Sequence, residues 1–198
     1  MEGKYKIKRL INSILNKFNL EIIKTHPREA IKFAKEYFKG KKILAIEIGV
    51  LQGINSEQIL KNLNIKEIYL IDPGTSYLDY KKSEPERTQQ SLNEDFKECK
   101  KRLSKYNQKI KYIKKFSEDA INFVPMVDFI YIDGNHEYNY VKKDLELYWG
   151  KVKEGGIMSG HDIQSSGVST ALLEFSRKNN LNIHFGDRRD WWIIKTIK

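Results

Sequence analysis

Short β-rich apolar runs alternate with longer stretches of helical periodicity along most of this 198-residue chain. That alternation limits the fold more than any other feature, because strands separated by helix-length segments pair in parallel and need helices over both faces of the sheet. Residues 43–48, 68–71, 110–113, 127–132, 156–160, 183–185 and 191–197 read as strands. Residues 56–63, 86–104, 141–149 and 168–177 read as the helices between them. The last two strand runs are too close for a crossover and predict an antiparallel hairpin. Ahead of the first strand, Ile7, Leu10, Ile11, Ile14, Leu15 and Phe18 fall at helical spacing. A second helix is expected over 27–39, with Thr25 or His26 near its cap and Pro27 in its first turn. The expected organisation is an N-terminal helical extension over 1–40 and one α/β domain over 41–198, with a mostly parallel seven-stranded sheet.

Composition narrows the class. Cys99 is the only cysteine, which excludes an internal disulfide and a cysteine-rich zinc site. No apolar run reaches the roughly 18 residues of a membrane span, and MEGKYKIKRL leads into an amphipathic pattern, so a cytoplasmic protein is expected. The net charge of +10 favours anionic partners without choosing among them, and the scattered lysines read mainly as a solvated surface.

In such sheets ligands bind beyond the carboxyl ends of the strands. Glu47-Ile-Gly49-Val-Leu-Gln-Gly53 follows the first strand, where glycines permit a tight turn and close ligand approach. Asp72 ends the second strand, where a carboxylate can accept both hydroxyls of a ribose. The G-x-G-x-x-G pattern of pyrophosphate-bearing dinucleotides is absent. S-adenosylmethionine lacks a pyrophosphate, and its sulfonium and ammonium groups tolerate an acidic Glu47, so the turn favours the methyl donor.

The string Glu47-Ile-Gly49-Val-Leu-Gln-Gly53-Ile-Asn-Ser56 resembles motif I of the class I methyltransferases, with Leu51 where many members have a middle glycine. That departure is shared with metal-dependent enzymes similar to catechol O-methyltransferase. The resemblance implies a Rossmann-like methyltransferase fold in which Glu47, Gly49 and Gly53 line the methionine part and Asp72 holds the ribose. It also implies that Ser117-Glu118-Asp119 borders the adenine, although Ser117 can equally be a helix cap.

Residues 127–162 carry the second signal. Asp133 follows one strand and His161-Asp162 the next, which would bring three ligand types to one edge of neighbouring strands about 5 Å apart. Carboxylates with waters suit Mg²⁺ or Mn²⁺, and an added imidazole shifts the preference toward Mn²⁺, Fe²⁺ or Zn²⁺. Such an ion would acidify an alcohol and fix its oxygen opposite the methyl-bearing sulfur, with His136 available as the base. The pattern Asp133-Gly134-x-His136-x-Tyr138-x-x-Val141-x-x-Asp144, then Gly155-Gly156 and Gly160-His161-Asp162, resembles the methyltransferase domain 24 group. That resemblance covers roughly residues 44–173 and implies metal ligands at Asp133 and Asp162, with Asp133 also beside the cofactor and His161 where relatives carry an acidic residue. Asp144 reads as a solvated or capping helix residue, and Tyr138 and Val141 as packing groups.

Asp187-Arg188-Arg189-Asp190-Trp191-Trp192 lies at the predicted hairpin, where aromatic and bidentate groups suit a sugar or an acidic group, with one tryptophan expected in the core. Phe18-Asn-Leu-Glu-Ile-Ile-Lys24 resembles leaders of sugar-modifying methyltransferases. The expected acceptor is therefore a small-molecule hydroxyl on a saccharide, polyol or phenol, and a homo-oligomer is allowed. RNA methylation is the rival prompted by charge, but no Asn-Pro-Pro-Tyr motif and no strand-end cysteine supports it. A non-catalytic nucleotide-binding module is the rival from another class.

Overall fold

The computed structural model describes residues 27–75, 88–187 and 189–196. The expected helix at 4–18, the 18–24 segment, the Thr25 or His26 cap, Arg188 and the end of the 191–197 run lie outside the described residues. The chain begins there with α1 (Glu29–Phe38), followed by β1 (Ile43–Ile48), α2 (Ile54–Asn62) and β2 (Ile65–Ile71). Next come α3 (Gln89–Arg102), β3 (Ile110–Ile113), the single turn α4 (Ser117–Ala120) and β4 (Val127–Ile132). Then α5 (Tyr138–Trp149), β5 (Val152–Gly160), α6 (Ser166–Asn179), β6 (His184–Phe185) and β7 (Trp191–Ile194) complete the order.

The seven strands lie in the order β3-β2-β1-β4-β5-β7-β6. β1 pairs in parallel with β2 and β4, while β7 runs antiparallel to both β5 and β6. The switch point thus falls between β1 and β4, and the loops after both strands meet there. β5 starts four residues earlier than expected. Gly155, which reads in sequence as a terminator, adopts φ +70° inside the strand, beside a register irregularity between β4 and β5. The glycine is absorbed as a local distortion of the strand and does not end it.

Period-two alternation splits the core between the two faces. Ile43 and Ala45 of β1 and Phe129 and Tyr131 of β4 pack with Ala30, Ile31, Ala34 and Phe38 of α1. Ile46, Ile48, Ile130 and Ile132 face the other way, toward Val141, Leu145, Leu172 and Phe175 of α5 and α6. Trp191 and Trp192 enter opposite faces, and both are buried, where sequence reasoning placed only one in the core. Among the described residues no helix is long and apolar enough to cross a membrane.

The start of α1 is capped from a distance. Arg28 occupies the N-cap position without a side-chain cap bond, and the N–H of Ala30 is instead accepted by Asp190 Oδ2 at 2.8 Å. A carboxylate at that position also complements the positive end of the helix dipole.

Candidate active site

The turn after β1 is shaped by backbone constraints. Gly49 has φ +81°, and a Cβ there would lie 2.1 Å from the carbonyl oxygen of Asp133. Gly53 has φ +71° and begins α2. Leu51, between them, also takes a left-handed backbone at φ 46°, a conformation uncommon for a residue with a side chain. Asp72 holds this turn: Oδ2 accepts the N–H groups of Val50 and Leu51 at 2.9 and 3.0 Å, and Oδ1 accepts that of Gly74 at 2.8 Å. The same carboxylate lines a cleft with Leu51, Gly74, Phe96, Tyr112 and Lys114.

Glu47 is fully buried at the end of β1 and accepts hydrogen bonds from Asn55 Nδ2 and the Ser56 hydroxyl. Burial raises its carboxyl to about 7, and these two donors only partly oppose the rise.

The ends of β4 and β5 bring the second group together. Asp133, His136 and Asp162 each offer a ligand atom within 4.8 Å of the others. His136 Nε2 lies 3.2 Å from Asp162 Oδ2 and 3.7 Å from Asp133 Oδ1. His161 Nδ1 is 3.1 Å from the same Asp162 oxygen, and its other ring nitrogen faces Asp190 at 3.9 Å. The sequence places His161 with the carboxylates and His136 as the base. In the structure both imidazoles stand beside the two carboxylates, His161 Nδ1 also 4.0 Å from Asp133 Oδ1. Asp162 has φ 54° and accepts Gln164 Nε2 at 2.7 Å. The His161 hydrogen bond, against the effect of burial, holds its carboxyl well below the usual range.

Two carboxylates and an imidazole are a donor set for a hard or borderline divalent ion. Ligands about 2.1 Å from an ion are at most about 4.2 Å apart, so a small inward movement would close the set.

Ser117 and Glu118 sit where α4 begins, beyond β3. The Ser117 hydroxyl donates to Asp144 on α5, its carbonyl accepts Tyr148 at 2.7 Å, and Glu118 pairs with Lys143. Asp144 is therefore neither solvated nor a cap. It is buried beneath the loop, and burial raises its carboxyl to about 7, against the Ser117 hydrogen bond. Tyr138 packs against the core cluster that holds Val141, and its hydroxyl donates to Glu174.

A residue unmarked by the sequence reaches the centre of the site. Arg28 Nη1 lies 2.7 Å from Asp133 Oδ2 and 3.0 Å from the Tyr131 hydroxyl. Tyr131 donates to the buried Asp190 at 2.8 Å. Asp190 lay within a stretch the sequence did single out. Arg28 carried no signal, because a lone arginine before a helix looks like surface.

Residues 46–163 match a family described as a methyltransferase domain, methyltransferase domain 24. Uncharacterized protein R132 of Acanthamoeba polyphaga mimivirus is 26% identical over 155 residues, covering 75% of this chain and 64% of that protein. The chain thus spans a little under two thirds of the curated relative it matches. Among solved structures, the O-methyltransferase NovP is similar with a TM-score of 0.64 at 16% identity, over 85% of this chain and 79% of that one. MycE, a methyltransferase from the mycinamycin biosynthetic pathway solved with Mg and S-adenosylhomocysteine, gives a TM-score of 0.55 at 15% identity, over 84% and 48% of the two chains.

Proposed function

Because the chain belongs to the methyltransferase domain 24 family, we propose that it transfers a methyl group from S-adenosylmethionine to a hydroxyl oxygen, with a divalent ion held by Asp133, His136 and Asp162. The observation that carries this reading is the convergence of those three ligand atoms beside the Gly49 turn, at the switch point of the sheet.

In this reading Gly49 and Gly53 leave room for the methionine part of the donor, and Glu47 supplies a negative charge near its ammonium. Asp72 already accepts two backbone N–H groups at Oδ2 and one at Oδ1, and the remaining acceptor capacity of Oδ1 serves the ribose. Ser117 and Glu118 border the adenine, with Asp144 holding Ser117 from below. Asp133 separates the donor side from the acceptor side. A bound Mg²⁺ or Mn²⁺ supplies acidity to a coordinated hydroxyl and a fixed orientation for its oxygen. The magnesium complex of MycE supports this choice of ion.

His136 is assigned as a ligand because its Nε2 faces both carboxylates within one converging set, and His161, which also faces both, flanks Asp162. A His136→Ala protein that loses Mn²⁺ binding supports the ligand role. One that keeps Mn²⁺ but shows a displaced pH profile returns His136 to the base role.

The acceptor is a small-molecule hydroxyl, of the saccharide, polyol or phenol type. Arg189 on the hairpin stands 4.0 Å from Asp162 and supplies the polar rim such a molecule needs, since both tryptophans are in the core. S-adenosylhomocysteine release measured over sugars, catechols and RNA, with Mn²⁺ or with chelator, tests the proposal. Turnover at full rate in chelator removes the ion from it, and turnover on RNA alone replaces the acceptor class.

A further inference from the structure

Arg28 and Asp190 lie outside the matched residues 46–163, yet both bear directly on the cluster inside them. The anchoring is firm. The guanidinium sits 5.4 Å from the Tyr131 ring centroid, Tyr131 is fully buried, and Asp190 ties the Tyr131 hydroxyl to the first turn of α1. Arg28 therefore reaches Asp133 from a helix start that is itself held in place, not from a loose surface loop.

We propose that Arg28 is an internal counter-cation of the Asp133–His136–Asp162 cluster, which takes up one oxygen of Asp133 and opposes the entry of a divalent ion. The inference rests on the metal reading above. Its physical basis is charge. Asp133 and Asp162 bring two negative charges into one half-buried site, where Arg28 is in direct contact with Asp133 and the exposed Arg189 stands 4.0 Å from Asp162. A divalent ion coordinated by Asp133 would stand within a few ångströms of the guanidinium. Like charges at that distance in a half-buried site repel by several times the thermal energy. Asp133 Oδ2 holds the guanidinium while Oδ1 faces His136, so an ion held at Oδ1 would meet the guanidinium across one carboxylate. Arg28 thus keeps Asp133 paired without metal and sets a threshold concentration for metal entry.

A purely positioning role for Arg28, in which it holds Asp133 in the ligating orientation, predicts the opposite sign. Removing a positioning partner weakens metal binding, commonly by about 10–100-fold. Removing a competitor strengthens it. Mn²⁺ affinity of the full chain, read from the free-ion signal in electron paramagnetic resonance, separates the two without any substrate. Arg28→Gln is expected to bind Mn²⁺ roughly tenfold more tightly than the unsubstituted protein, and Arg28→Lys, which keeps the charge, to stay within about threefold of it.

A second measurement guards against misfolding of a variant. In the unsubstituted protein labelled at arginine, saturating Mg²⁺ should shift the guanidinium resonance that Arg28→Gln identifies by its loss. Equal or weaker Mn²⁺ binding by Arg28→Gln overturns the inference, and so does an Arg28 resonance that Mg²⁺ leaves in place. Absence of Mn²⁺ binding in every form removes the metal reading itself, and the competition with it.

Discussion

Burial sets the charge of two carboxyls here. Glu47 and Asp144 both lie near 7, against ordinary values of 4.5 and 3.8. In each case the folded protein keeps a proton that the unfolded chain has released, so each group lowers stability progressively as pH rises from its ordinary value to about 7. Asp144→Asn removes that penalty. Its stability relative to the unsubstituted protein should rise on the order of 1–3 kcal/mol between pH 5 and pH 8, measured by urea unfolding. Glu47 has a second consequence, because the cationic donor favours its ionised form. Affinity for S-adenosylmethionine should fall as pH is lowered from 8 to 6, by up to about tenfold for each unit below 7. Calorimetry on Glu47→Gln should show weaker binding with little of that slope; a slope retained in the variant would assign it to another group.

At the level of elements, the site depends on where strands end and how closely their loops approach. Gly49 combines a left-handed backbone with contact against the Asp133 carbonyl, so Gly49→Ala meets both strain and a clash with backbone that cannot yield. A loss of more than about 2 kcal/mol is expected, together with a fall in Mn²⁺ affinity, because Asp133 must move. Circular dichroism melts and metal titration on the same sample check the two effects. Gly160 plays the matching part at the end of β5, where a Cβ would stand 2.5 Å from the Trp191 ring. The antiparallel pairing of Gly160 with Trp191 brings Asp190 and Arg189 back over the site.

Over the whole molecule, Asp190 joins the C-terminal hairpin to α1 and, through Tyr131 and Arg28, to Asp133. Asp190→Ala would leave the Ala30 N–H and the Tyr131 hydroxyl without their buried acceptor. A cost of about 2–4 kcal/mol is expected in denaturant unfolding, well beyond a typical surface substitution. Ligands act at the same scale. S-adenosylmethionine at 100 times its dissociation constant should stabilise the protein by about 2.7 kcal/mol, and Mn²⁺ should add a separate increment that chelator removes. A melting temperature indifferent to both would point to a different ligand for this fold.

The sheet, its hairpin end and the candidate edge were legible because hydrophobic periodicity is a local property that burial enforces. Asp133 and Asp162 were legible for a related reason: adjacent parallel strands deliver their ends to one rim whatever the side chains between them do. The length of β5, the burial of Asp144 and the approach of His136 to both carboxylates were not, because each depends on which atoms meet across the fold. Nothing near Arg28 in the sequence marks its partner, which lies 105 residues away. By itself the sequence determined the architecture and the chemical types gathered at the strand ends. The tertiary structure alone decided which of them face one another and which cation stands among them, since pairing of charges and exclusion of water are properties of space and not of order along the chain.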